Sequence, residues 1–493
     1  MGWMPYVIVG VTLAAALVIE ARAWPKDDVA WLVYVAANWL DGHAPYDSLI
    51  EVNTPPIIWL TMGAVLIARV VRLPELAIAP AYYGLFVIGC AWLTASILQS
   101  RALPVSRGAA FATLGLVLLV PALPEFGQRE HLIIAAALPL LALHVESATP
   151  ARPDSRVHAL LAGALAGLCC GIKPHFLLAF VLATAATAVT GRRVPWLAVI
   201  VAILTQAILF GLTLLLAPAY LDQIVPMAME LYVPALSGSL FPNASLPAMA
   251  VSIVLAGLWW SNRSRLQDGG AVLVLLAFAF GCWLVYFIQD KGWPYHRLPA
   301  SMAVLLAAIV WGKACPRRFT RGTSYLLVAV LLAGALAERV KHVAERIALA
   351  VQPDRAPQVR VAEFLREAKA SSYASLSLRL SGGFPLVQKT GLAWGSRFPS
   401  VWALLAEAER DSATAASAPG ESVSRMMAED FLDHCPEFVS IDHTQGVDYP
   451  ALIAEGDPRF GVAWRHYTLV ATIEPFEIHR RPAGRPVSEV CGP

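Results

Sequence analysis

Charge is what this chain has least of. Only 15% of its 493 residues are Asp, Glu, Lys or Arg, against 57% hydrophobic, where a soluble domain carries nearer a quarter charged. Mean hydropathy is +0.60. This excludes an ordinary soluble protein and indicates a polytopic membrane protein. Net charge is slight at +2 and no basic tract runs along the chain, so nothing points to a nucleic-acid partner. The seven cysteines lack metal-ligand spacing. Cys90, Cys169, Cys170 and Cys282 fall in apolar runs as small packing residues. Cys435 and Cys491 lie in a polar C-terminal region and can pair if that region occupies an oxidising compartment. Lys and Arg are absent from Met1 to Glu20. Despite the Ala21-Arg22-Ala23 triplet, this segment therefore lacks the positive start of a signal peptide, and it reads as an uncleaved first helix.

What is abundant is apolar sequence in lengths near the 20 residues that cross a bilayer. Such stretches occupy 4–23, 77–99, 108–124, 131–147, 157–172, 175–190, 195–217, 247–261, 270–288, 298–312 and 323–339, about eleven spans. With the N-terminus cytoplasmic, the inner loops carry Arg101 and Arg107; Arg152 and Arg156; Arg192 and Arg193; Arg263 and Arg265; and Lys313, Arg317, Arg318 and Arg321. That bias sets the orientation. It holds only if Pro55–Arg72 is a juxtamembrane or shallow helix of the first external loop rather than a crossing, although Arg69 and Arg72 close it.

Residues 1–340 thus form the transmembrane domain, with a first external loop at 24–76, and residues 341–493 form an extracytoplasmic α/β domain. In the latter, Ala356–Lys369 has helical amphipathic spacing. Phe438–Ile441 and Tyr467–Ile473 read as strands, and Ser412–Ser422 as a Ser/Ala-rich loop.

The polar clusters all fall in external loops. The first has Asp27, Asp28, Asp41, His43, Asp47, Glu51 and Asn53; the second Glu125 to His131; the third Lys173-Pro174-His175; the fifth Gln289 to Arg297. Acids at a membrane face are expensive and usually functional. A carboxylate in a partly desolvated cleft suits a base for an acceptor hydroxyl, and cations suit a departing phosphate. Asp27 and Asp28 are adjacent, so at most one faces a substrate, while the other suits an N-cap. Arg129, Lys173, Lys291 and Arg297 are the candidate cations; Lys173 and Lys291 also read as snorkelling anchors, and Arg129-Glu130 as a surface ion pair. His131 and His175 read equally as interfacial residues bonded to backbone.

These residues resemble the motifs of the GT-C superfamily of polyprenyl-phosphate-sugar-dependent glycosyltransferases, particularly the protein O-mannosyltransferase and lipid A aminoarabinose transferase group. Pro25-Lys26-Asp27-Asp28 with Tyr34, Leu40, Gly42 and Pro45-Tyr46 is similar to the family's first-loop acid, amphipathic helix and Gly turn. Asn53-Thr54-Pro55-Pro56 resembles its Pro-led juxtamembrane segment. Gly127-Gln128-Arg129-Glu130-His131 stands at its second-loop motif. Gly163 to Lys173 resembles its Gly-rich helix ending in Lys, and Asp290 to Tyr295 its Lys- and Tyr-containing loop. The likeness runs in order over roughly residues 1–340. Two departures stand out. Thr54 occupies the position where the aminoarabinose group has a Lys, which shifts phosphate binding onto Lys173 or Lys291. The first-loop acid aligns on Asp27 or Asp28 according to whether the Leu40 or the Gly42 anchor is used, with the balance toward Asp28.

The resemblance implies an α-helical polytopic membrane protein of GT-C type. It implies a glycosyltransferase moving a sugar from a polyprenyl-phosphate donor to a hydroxyl of a lipid, glycan or protein on the extracytoplasmic face of a bacterial cytoplasmic membrane. The catalytic candidates are Asp28 and Asp27; the substrate-binding candidates are Arg129, Glu130, His131, Lys173, His175, Lys291, Tyr295, His296 and Arg297. Some members use a divalent metal at a paired-acid site; none is expected here, and no other cofactor. The rival readings are a transporter or flippase of lipid-linked glycans, which would place its charges near the midplane; a polymerase or ligase using diphosphate-linked glycans; and a non-catalytic membrane protein whose external domain binds a partner.

Overall fold

Met4–Arg22 (α1) is apolar all round, and Val7, Val11 and Val18 point outward, as suits a helix bathed in lipid. The computed structural model describes residues 2–44, 46, 48–100, 106–145, 155–234, 246–263, 269–314, 333, 337, 339–414 and 422–492. After α1 come Asp27–Leu40 (α2), Pro55–Val71 (α3), Glu75–Ser100 (α4), Arg107–Leu119 (α5), Arg129–Val145 (α6), Ser155–Ile172 (α7), Leu177–Val189 (α8), Trp196–Leu216 (α9), Leu246–Asn262 (α10), Gly269–Gln289 (α11) and Leu298–Ala314 (α12). Helix 339–351 (α13) follows. Within α1, α4, α9 and α11 the apolar run is long enough to cross a membrane; other apolar helices, including α3, α5 and α8, are shorter. The expected span 323–339 falls almost wholly outside the described residues, as do Pro45, Asp47, Arg101, Arg152, Arg265, Arg317, Arg318 and Arg321.

The bundle is built around α6, every residue of which is buried. Its alanines let α4, α7, α11 and α12 close in from all sides. On its outer flank, α7 meets α9 through glycines spaced four apart. A Cβ on Gly163 would stand 2.4 Å from the Ala198 carbonyl, and one on Gly167 2.6 Å from the Ala202 carbonyl. Small residues at this spacing bring membrane helices to backbone contact.

Along the chain the helix ends alternate. The start of α6, the end of α7 and the end of α11 gather at Arg129, Lys173 and Gln289. At the other end of α6, Arg192 donates to the Val145 carbonyl. α2 and α3 pack side by side in the same direction: Asp28 and Asn53 both meet Arg129, while Arg69 near the end of α3 pairs with Asp41 just past α2 at 2.8 Å and with Glu75 at 3.3 Å. The Arg69 charge therefore stays beside α2, which accounts for a cation that would otherwise mark an inner loop.

The C-terminal region holds a five-stranded sheet from Ser372–Leu376 (β1), Ala393–Trp394 (β2), Phe438–Asp442 (β3), Thr468–Ile473 (β4) and Phe476–Arg480 (β5), in the order β2-β1-β3-β5-β4. The first three are parallel and the last two antiparallel additions. The amphipathic segment forms helix Pro357–Glu367 (α14). Helix Trp402–Thr414 takes the start of the expected loop, and 415–421 lie outside the described residues. Cys435 and Cys491 are bonded to each other. This region docks onto α2: Phe384, fully buried, lies 4.8 Å from Trp31 and 5.1 Å from Tyr34 between ring centres, and Gln388 Nε2 donates to the Ala30 carbonyl at 2.8 Å.

Candidate active site

Four segments meet where α2 and α6 begin. Lys26 N-caps α2, so Asp27 and Asp28 fill its first turn, at the positive end of the helix dipole. Asp27 Oδ1 accepts the Asp28 N–H at 3.0 Å, turning that acid back onto its own helix. Burial and the neighbouring Asp28 charge hold the Asp27 carboxyl above its ordinary range. Asp28 points to the second loop: its Oδ2 accepts from Gln128 Nε2 at 2.9 Å, and its Oδ1 lies 3.6 Å from an Arg129 guanidinium nitrogen.

Gln128 and Arg129 reach Asp28 because Gly127 turns the chain with φ +77° just before α6. Arg129 also donates to the Asn53 side-chain oxygen and lies over the Tyr295 ring, 5.8 Å from its centre. Asn53 in turn holds Glu51: its N–H and side-chain amide donate to Oε1 at 2.6 and 2.5 Å. Burial raises the Glu51 carboxyl against those bonds and the Arg129 charge. One residue on, Glu130 is fully buried, pairs with Lys173, and has the His296 ring nitrogen 3.6 Å away. Lys173 donates also to Gln289 Oε1 at 2.9 Å.

An outer layer fixes this cluster. Lys26 lies 3.6 Å from Glu125, whose other oxygen is 3.7 Å from Arg339 of α13; Arg339 donates to the Pro294 carbonyl at 3.1 Å. Burial works against the Lys26 charge, but Glu125, Asp27 and Asp28 outweigh it and raise its pKa. Thr54 Oγ1 lies 2.8 and 2.9 Å from the Gly171 and Ile172 carbonyls. The position where the resemblance places a Lys is thus beside the residues that lead into Lys173.

Of the residues singled out in the sequence, Asp28, Arg129, Glu130, Lys173, Tyr295 and His296 come together, with Asp27 adjoining them. His131 does not join them. Its Nδ1 accepts from the Gly127 N–H at 3.2 Å and its Nε2 donates to the Leu118 carbonyl at 2.9 Å, so both nitrogens are spent on backbone. Its ring braces the Gly127 turn, the backbone-bonded one of the two readings the sequence allows. Lys291 donates to the Tyr232 and Val233 carbonyls at 2.5 and 3.1 Å and sits over the Tyr232 ring. It ties down the Tyr232–Val233 segment. Arg297 is buried at the end of the short helix Pro294–Arg297, and His175 is half-buried just beyond Lys173. Sequence reasoning missed Arg339, which closes the last apolar run, and gave no role to the neutral Gln128 and Gln289, which carry no charge signal.

Several buried polar atoms around Arg129 have no hydrogen-bond partner: Glu51 Oε2, Gln128 Oε1, Arg129 Nε, Glu130 Oε2 and His296 Nδ1. Unpaired buried polar atoms are costly and rare. Their concentration here makes this cluster the candidate site for a polar ligand. No group of three His, Cys, Asp or Glu suited to a metal is found among the described residues. In the cluster each carboxylate already faces a cation or an amide.

No protein-family model and no curated protein matches the chain. Among solved structures, it resembles the crystal structure of ArnT from Cupriavidus metallidurans bound to undecaprenyl phosphate, with a TM-score of 0.58 at 16% identity over 98% of both chains. Two structures of the Archaeoglobus fulgidus oligosaccharyltransferase align at TM-scores of 0.48 and 0.45, with 10% and 14% identity, over 98% and 97% of this chain and 75% and 74% of theirs. The likeness to ArnT alone carries the fold. It is the GT-C fold that the order of the loop motifs implies.

Proposed function

We propose that the chain is a membrane glycosyltransferase that moves a sugar from a polyprenyl-phosphate donor to a hydroxyl of a lipid, glycan or protein acceptor outside the cytoplasmic membrane. The observation that carries this reading is Asp28, held between Gln128 and Arg129 at the edge of a buried cluster with Lys173 behind it. Undecaprenyl phosphate in the ArnT structure, which shares the fold, supports a lipid-phosphate donor.

In this mechanism the phosphate draws Arg129 onto itself and releases Asp28 from its ion pair. Asp28 then accepts the acceptor's hydroxyl proton. The hydroxyl oxygen bonds to the anomeric carbon as the bond from that carbon to the phosphate oxygen breaks, and the polyprenyl phosphate leaves with the electron pair. Arg129 and Lys173 stabilise that charge where it appears. Thr54 cannot supply a cation, and Lys173, beside it, takes that part. Glu130 and His296 position Lys173. With two cations on the phosphate, no divalent metal is needed, so turnover should be unchanged by EDTA. The disulfide between Cys435 and Cys491 supports an oxidising, extracytoplasmic location for the C-terminal domain.

The test is sugar transfer by the purified protein from a panel of polyprenyl-phosphate sugars, beside Asp28→Asn and Asp27→Asn. Turnover that persists in both variants and in the double variant sinks the assignment. No turnover with any monophosphate donor moves the reading to diphosphate-linked substrates or transport.

A further inference from the structure

A groove of 880 Å³ runs between α1, the turn from α3 to α4, and the Gln388–Lys389 edge of the C-terminal domain. It shares no residue with the cluster around Asp28. Its wall is aliphatic, with Leu17 and Val18 of α1 facing Leu73 and Leu76 at the turn. Val18 and Leu73 are exposed large apolar residues, and Ile67, Val70 and Val71 extend the apolar surface beside them. Clusters of this kind mark contact with another molecule or with membrane.

The charges of the groove do not cancel. Glu20 is taken by Arg346, and Glu75 by Arg69, which also holds Asp41. That leaves Arg72 and Lys389, both exposed, and neither is paired with a carboxylate among the described residues. Lys389 is steadied over the Trp24 ring at 5.4 Å. Arg72 stands at the left-handed end of α3, with φ +58°. Two cations lining an aliphatic groove beside the outward-facing α1 complement a lipid with a negatively charged phosphate head.

We propose that this groove binds one anionic phospholipid of the surrounding bilayer, its phosphate between Arg72 and Lys389 and its chains along α1 and α4. The site lies apart from the donor and acceptor cleft, and its binding needs no turnover, so it stands or falls independently of the glycosyltransferase reading.

Native mass spectrometry of the full-length, delipidated protein, titrated with phosphatidylglycerol, tests the proposal. One tight phosphatidylglycerol is expected on the wild type, and affinity should fall about fivefold for each of Arg72→Gln and Lys389→Gln. Arg355→Gln, an exposed cation outside the groove, serves as control, and melting temperatures confirm that each variant is folded. Unchanged retention in the double variant overturns the proposal, as does an equal loss in Arg355→Gln. Equal binding of phosphatidylcholine overturns it too, because the head charge would then be irrelevant. Displacement by water-soluble glycerol phosphate would make the ligand a free phosphate and overturn the lipid assignment.

Discussion

Replacing the Asp28 carboxylate by an amide of the same shape keeps the Gln128 contact and removes both the proton acceptor and the charge paired with Arg129. Asp28→Asn is therefore expected to lower turnover by about 10²- to 10⁴-fold, with Asp27→Asn affecting it far less, since Asp27 is bonded to its own helix. Glu130 answers to a different test. Glu130→Ala leaves Lys173 buried with Gln289 but without its carboxylate, which should lower stability by about 3–5 kcal/mol, read as a drop in melting temperature in detergent, and should raise KM for the donor. Both acids are conspicuous in the sequence because charge is so scarce in it. Their partners are less so. Gln128, Asn53 and Gln289 are neutral amides whose roles depend on which loops meet, and loop meeting is set by tertiary packing. His131 shows the converse: a histidine beside functional residues whose ring is committed to the Gly127 and Leu118 backbone.

Among the elements, α7 is the one whose packing most directly sets the site, because Lys173 stands at its end. Gly167→Ala puts a methyl group against the Ala202 carbonyl of α9. The two helices must then move apart, at a cost of about 1–3 kcal/mol, and transfer should fall although no site residue has changed. A melting curve together with the transfer assay checks this; loss of neither would show that the α7–α9 contact is slack. The Gly163–Lys173 pattern is legible through its likeness to the family's Gly-rich helix ending in Lys. α13 is not legible in the same way. Arg339 and Arg346 lie in a stretch of mixed composition, and only the fold shows that they reach Glu125 and Glu20.

At the scale of the whole molecule, the C-terminal sheet is tied together by Glu437. Burial pushes its carboxyl upward, but the Ser371 N–H and hydroxyl, at 3.0 and 2.9 Å, and Arg480 at 2.9 Å outweigh that and hold it below the ordinary range. Its folded pKa is thus below its unfolded one. The stabilisation is present above the unfolded value of about 4.3 and is lost as pH falls through the folded value. Thermal unfolding followed from neutral pH into acid should fall more steeply for the wild type than for Glu437→Gln; equal slopes would remove Glu437 from the account. Two of the strands, β3 and β4, are legible as short apolar runs, whereas the docking of Phe384 on Trp31 joins residues hundreds of positions apart and leaves no local trace.

The ion pair between Glu20 and Arg346 also orders events during synthesis. The two residues are 326 positions apart, so α1 is inserted long before its partner leaves the ribosome. Until then Glu20 sits at the membrane face without a cation, and Trp24 without the guanidinium that donates to its carbonyl. The body of α1 can pack on α4 and α5 early, and its polar end is fixed last.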